Sequence, residues 1–190
     1  MNIALFASGS GSNVKNIIDF FEHDLDVHVK LVISNKSDAG ALQHARHSNI
    51  KTFVISNQEL NNIFPVIDIL KEFEIDLIVL AGFLLKIPSD LILNFKGEII
   101  NLHPSLLPKF GGKGMYGKNV HEAVLNAGES NTGITIHYVN EQYDKGEIIA
   151  QYSTEVSKNE TIESLLLKIK KLEKDHFPAT INEIVKQKKS

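Results

Sequence analysis

The chain has 190 residues, enough for one domain with a substantial core. Its net charge is −3 with both signs intermixed, which excludes the basic stripe of a nucleic-acid binder. It has no cysteine, which excludes a disulfide framework, a thiolate metal site and a cysteine nucleophile. No signal peptide is expected, because the chain opens on a short apolar strand without a basic leader or a cleavage site. No apolar run approaches the ~20 residues of a membrane span. These features set the expectation of a cytoplasmic protein, monomer or homodimer, with small-molecule partners and neither nucleic acid nor membrane.

Residues 2–7 read as a strand, followed by Ser8-Gly9-Ser10-Gly11-Ser12-Asn13. Val14, Ile17, Ile18 and Phe21 then recur at i, i+3, i+4 and i+7, one face of a helix that Ser12 or Asn13 can cap. A strand, a glycine-rich turn and a helix start make an anion site from free N–H groups and the helix dipole. A dinucleotide is rejected: Val14 stands where a third glycine belongs, and Asn35-Lys36 after the second strand (29–34) offers no acid for a ribose. A single phosphate fits better, with a plain tight turn as the alternative.

The alternation continues with a helix over 39–48, a strand over 51–55 and a helix over 58–73 broken near Pro65. Residues 76–81 are almost wholly apolar, as a strand buried on both faces requires. Gly82 to Pro88 is too apolar for an ordinary surface connection and is expected to line a pocket or pack under a helix at 89–94.

The stretch from Glu98 to Pro108 begins as a β-branched strand and then carries Asn101 and His103, two residues apart and so on one face. Pro104 ends the strand at once, which holds the polar pair at its carboxyl edge, where open α/β sheets bind ligands. His103 by itself reads first as a satisfied core histidine; pairing with Asn101 on one face of the strand end raises the site reading to equal footing. Four glycines in the nine residues 109–117 predict a mobile loop beside it. A short helix over 121–127 and two strands, 132–139 and 147–156, close the sheet as an antiparallel hairpin. His137 on the first of these can face either way. Asp144 lies in the connecting turn, two before Gly146. The last helix, 161–177, has an apolar face of Ile162, Leu165, Leu166, Ile169 and Leu172, and Glu173 joins its edge. A carboxylate there needs a ligand or a partner, and Lys170 is in reach. Residues 186–190 are expected to fray.

Five motifs in order then resemble one family. They are the Ser8–Asn13 loop, Leu80-Ala81-Gly82-Phe83, Asn101-Leu102-His103-Pro104-Ser105-Leu106-Leu107-Pro108, Thr132-Gly133 with Thr135 and His137, and Asp144 with Gly146, Ile148 and Ile149. Together they resemble the folate-dependent glycinamide ribonucleotide formyltransferases over nearly the whole chain. The resemblance implies a doubly wound, mostly parallel Rossmann-like α/β sheet with an antiparallel C-terminal hairpin and a C-terminal helix. It implies one domain over 1–190, its N-terminal half binding the ribonucleotide phosphate and its C-terminal half binding folate and doing the chemistry. The implied reaction carries the formyl group of 10-formyltetrahydrofolate to the amine of phosphoribosylglycinamide, without a metal. Asn101, His103 and Asp144 match the catalytic trio, and Gly11, Ser12, Asn13 and Glu173 the substrate-binding residues. Phe83, Leu84, Leu85, Lys86, Ile87, Asn101 and Val139 match the folate-binding segment. The chain departs from the pattern at Leu85, where many members carry arginine, and in the glycine-rich run 111–117, where a Pro-Gly turn is common.

Formyl transfer needs a donor for a tetrahedral oxyanion and a group that moves protons. Asn101 suits the first and His103 the second, with Asp144 expected to favour the charged imidazole. A formyltetrahydrofolate hydrolase and a non-catalytic phosphosugar-binding module are the alternatives.

Overall fold

The first strand, β1 (Asn2–Ala7), sends Ile3, Leu5 and Ala7 to one side of a sheet and Ala4 and Phe6 to the other, and all five are fully buried. A strand apolar on both faces belongs at the centre of a sheet covered by helices on both sides. The computed structural model, which describes residues 1–189, puts it there.

The elements follow one another as α1 (Ser12–Phe21), β2 (His28–Ser34), α2 (Gly40–His47), β3 (Lys51–Val54), α3 (Asn57–Asn61), α4 (Ile63–Glu72), β4 (Leu77–Leu80), α5 (Ser89–Asn94), β5 (Glu98–His103), α6 (Lys118–Asn126), β6 (Asn131–Tyr138), β7 (Ile148–Glu155) and α7 (Ile162–Lys189). The seven strands lie in the order β3-β2-β1-β4-β5-β6-β7. β1 to β5 are mutually parallel, and β6 and β7 add an antiparallel hairpin. One apolar layer joins the sheet to α1, α2 and α7; the other joins it to α3, α4 and α5. Each fully buried Ile, Leu or Phe contributes about 1.5–3 kcal/mol.

The strand order reverses between β1 and β4, because the chain runs outward through β2 and β3 and then crosses back. That switch point opens a crevice beyond the carboxyl ends of β1 and β4, where such sheets bind ligands.

Three expectations are corrected. The helical stretch before β4 breaks at Asn62, not at Pro65. Ser56 and Glu59 cap α3 reciprocally through their side chains, and Pro65 falls in the first turn of α4, where a missing N–H costs nothing. Second, α6 begins at Lys118 rather than His121. Third, the last helix does not stop at Phe177. It runs through Pro178 to Lys189 and so continues into the tail expected to fray, of which Ser190 lies outside the described residues. A proline inside a helix strips the carbonyl four residues back of its partner. Here that carbonyl is Lys174's, and the Asn16 side-chain amide on α1 donates to it at 3.0 Å. Beyond the proline, Ile181, Ile184 and Val185 bury the same face, and Lys188 pairs with Glu98 at 3.0 Å. No helix among the described residues is long and apolar enough to cross a membrane.

Candidate active site

A cleft of about 590 Å³ follows the carboxyl ends of β1, β4 and β5 and is closed by the β6–β7 loop and by α7. Every residue singled out in the sequence for binding or chemistry lines it, from Gly11, Ser12, Asn13 and Glu173 to Phe83 through Ile87, Asn101, His103, Val139 and Asp144.

At one end stands the amino terminus of α1. Its cap is Gly11 in the left-handed conformation (φ 80°), and no side chain caps it. This corrects the expectation that Ser12 or Asn13 does so. The reason is steric. A Cβ on Gly11 would lie 2.4 Å from Ala41 Cα, so only glycine lets the starts of α1 and α2 meet. The consequence is electrostatic: uncapped first-turn N–H groups face the cleft with the positive end of the dipole. Asn13 instead spends its side chain on Glu173, its Nδ2 donating to Oε2 at 2.9 Å. Burial pushes the Glu173 carboxyl above its ordinary value, against the pull of Asn13 and the charge of Lys170. Glu173 thus finds its hydrogen bond on α1, not on Lys170.

The long wall is apolar. Phe83, packed edge-on against Phe6 at 5.4 Å, and Ile87 are buried, while Leu84 presents itself to the cleft 47% exposed. Ser8 ties this wall to the first loop: its N–H donates to Gly82 O (3.0 Å), and its hydroxyl accepts from Leu84 N–H (2.9 Å) and donates to Asn35 (2.6 Å).

Between the two lies a polar centre. Asn101 and His103 point to the same side of β5, as their spacing requires, and the antiparallel register sets His137 opposite Asn101. His137 Nδ1 bonds the Tyr138 carbonyl (2.8 Å) and so must carry a proton, because a carbonyl only accepts. Its Nε2 therefore accepts from the Asn101 amide at 3.1 Å, which leaves the second hydrogen of that amide for a ligand. His103 is oriented the other way round: Nε2 donates to Phe110 O (2.8 Å) and Nδ1 faces Asp144 Oδ2 at 3.5 Å. Asp144 lies across 41 positions of sequence, its other oxygen 3.7 Å from His137 Nε2 and the first accepting Gly112 N–H at 2.8 Å. Gly146 makes this turn possible, since a Cβ there would sit 1.6 Å from Tyr138 O.

The charge state differs from expectation. Burial lowers the His103 pKa, outweighing the attraction of Asp144 and the bond to Phe110. The imidazole is neutral at neutral pH, with a bare Nδ1 able to take up a proton and a carboxylate beside it to hold the cation that results. Burial raises the Asp144 pKa, but the neighbouring His137 and His103 and the Gly112 N–H outweigh it and hold the carboxyl below its usual range.

Two histidines of the cleft were not assigned from sequence. Strand alternation alone lets His137 face either way; the pairing of β6 with β5 turns it inward. His121, which the sequence pattern marks only as a helix start, is buried on α6. Burial and the charge of His103 hold its pKa down. Among the described residues, no three His, Asp or Glu side chains are grouped to hold a metal.

Comparison with known proteins bears on this geometry. The formyl transferase family matches residues 1–181. A chloroplastic phosphoribosylglycinamide formyltransferase of Vigna unguiculata is 41% identical over 172 residues, 88% of this chain and 55% of the relative's length. The chain therefore spans little more than half of that relative. The phosphoribosylglycinamide formyltransferase of Bacillus subtilis is 35% identical over 187 residues, covering 96% of this chain and 93% of that one. The crystal structure of phosphoribosylglycinamide formyltransferase from Anaplasma phagocytophilum superposes with a TM-score of 0.89 at 34% identity, covering 98% of this chain and 87% of the other.

Proposed function

Given that this chain belongs to the formyl transferase family, we propose that it transfers the formyl group of 10-formyltetrahydrofolate to the amine of 5′-phosphoribosylglycinamide, the formylation step of purine biosynthesis. The products are formylglycinamide ribonucleotide and tetrahydrofolate. The reading takes residues 1–190 as one formyltransferase domain. It carries with it a cytoplasmic location, two small-molecule substrates, no metal, and a monomer or homodimer.

One observation carries this reading. Asn101, His103 and Asp144 converge at the centre of a cleft with an uncapped helix start at one end and an apolar wall along its length. The acceptor's phosphate goes to the N–H groups of Gly11, Ser12 and Asn13, with Glu173 as an acceptor for polar groups of the sugar. The donor's ring system lies along Phe83 to Ile87 and Val139, its edges read by backbone groups.

The chemistry follows from the polar centre. The acceptor amine attacks the formyl carbon, and the carbonyl oxygen becomes an oxyanion. The free hydrogen of the Asn101 amide donates to it. Neutral His103 takes a proton from the attacking nitrogen at Nδ1, and Asp144 stabilises the imidazolium. That imidazolium then gives the proton to the departing folate nitrogen as its bond to carbon breaks. This reverses the starting charge expected from sequence but keeps the residues and the proton path.

An absorbance assay of donor turnover, with and without the ribonucleotide, tests the proposal. Turnover that requires the acceptor is expected. Turnover without it would make the protein a hydrolase, and none at all, with ligands bound, a binding module.

A further inference from the structure

Lys86 and Tyr143 come from different walls of the cleft, Lys86 from the segment after β4 and Tyr143 from the β6–β7 loop. The Lys86 ammonium lies 5.7 Å from the centre of the Tyr143 ring, within the range where a ring face attracts a cation. Tyr143 is 41% exposed, so burial alone does not fix its position. The next residue is Asp144, whose backbone is left-handed (φ 53°), a conformation that costs a non-glycine residue energy and needs its surroundings to hold it. From one side the hold is the Gly112 amide, 2.8 Å from Asp144 Oδ2.

We propose that Lys86 and Tyr143 form the other half of that hold, a clasp across the mouth of the cleft. Lys86 is then a positioning residue. By gripping Tyr143 it keeps the β6–β7 loop closed and Asp144 against His103 and His137. The link to reaction rate rests on the formyl-transfer reading; the closure of the loop does not.

The Gly112 amide is the reporter, because its bond to Asp144 breaks whenever the loop opens. Its hydrogen exchange is followed by NMR in the ligand-free protein, so the measurement stands even if no turnover is found. Lys86→Met keeps the stem and removes the cation. Gly112 exchange is expected to quicken about two- to five-fold, the scale of an exposed cation–ring contact. The value of kcat should fall by a similar factor with the ribonucleotide KM unchanged. Lys86→Arg and Tyr143→Phe keep a cation and a ring, and in both the Gly112 exchange rate should match wild type. In a Tyr143→Leu background, Lys86→Met should add nothing. Unchanged Gly112 exchange in Lys86→Met, or additive effects in the double variant, would overturn the clasp. Faster exchange with an unaltered kcat would overturn the positioning role, and a change confined to the donor KM would make Lys86 a plain donor contact instead.

Discussion

Replacing Asp144 with asparagine isolates one charge. The residue sits at φ 53°, where asparagine is as well accommodated as aspartate, and an amide oxygen can still accept from Gly112. Shape is therefore preserved, and what disappears is the negative charge 3.5 Å from His103 Nδ1. At an effective dielectric of about 20, a unit charge pair at that distance is worth at most about 4–5 kcal/mol. Relaxation and hydration of the emptied site reduce this to about 2–4 kcal/mol, roughly 30- to 1000-fold in the stability of the imidazolium formed during transfer. The side chain is 11% exposed, so little of the effect is lost to solvent screening. Steady-state kinetics should therefore show kcat lower by that factor, with both KM values within about threefold of wild type. The acid limb of activity should move to lower pH, because an imidazole without its carboxylate is harder to protonate. A loss of less than about tenfold, a loss confined to KM, or an unmoved acid limb would refute the role given to Asp144.

Three further outcomes follow. Gly11→Ala should lower the melting temperature, with at least about 1–2 kcal/mol lost to the left-handed backbone alone before the contact with Ala41 is counted; an unaltered melt would contradict the packing of α1 on α2. Asn13→Ala leaves the buried Glu173 carboxyl without its donor, so urea unfolding should show a loss of about 1–3 kcal/mol, and the ribonucleotide KM should rise while the folate KM stays. The third concerns pH. The pKa values of His103 and His121 are both lowered from 6.5 in the folded protein, so below about pH 6.5 the unfolded chain binds more protons at these two sites, and their contribution to stability is lost as pH drops through the folded values. Urea midpoints taken at neutral pH and about one unit below 6.5 should show that loss, and His121→Leu should shrink it; a protein equally stable at both would refute the buried neutral histidines.

Much of this was legible in the chain because the physics involved is local. Strand and helix periods depend on neighbours in sequence, and a proline directly after Asn101 and His103 fixes where that strand stops. The glycine-rich turn before the start of α1 was legible for the same reason. What escaped depends on contacts distant in sequence. The cap of α1 is Gly11 because Ala41 crowds it, and Pro178 sits inside α7 because Asn16 on another helix replaces the lost donor. His137 could be oriented only once β6 was paired with β5. The charge on His103 is not legible in the chain, because sequence shows that an aspartate is available but not how dry the imidazole is. Here burial exceeds the attraction.

The central claim is that the formyl group passes from the folate to the ribonucleotide amine within this cleft. A donor carrying ¹³C in its formyl group tests that directly. With protein, donor and phosphoribosylglycinamide together, the labelled carbon should appear by NMR as the formamide of the ribonucleotide, and the transfer should vanish in His103→Ala. Label released as free formate, or transfer that persists undiminished without His103, would contradict the account.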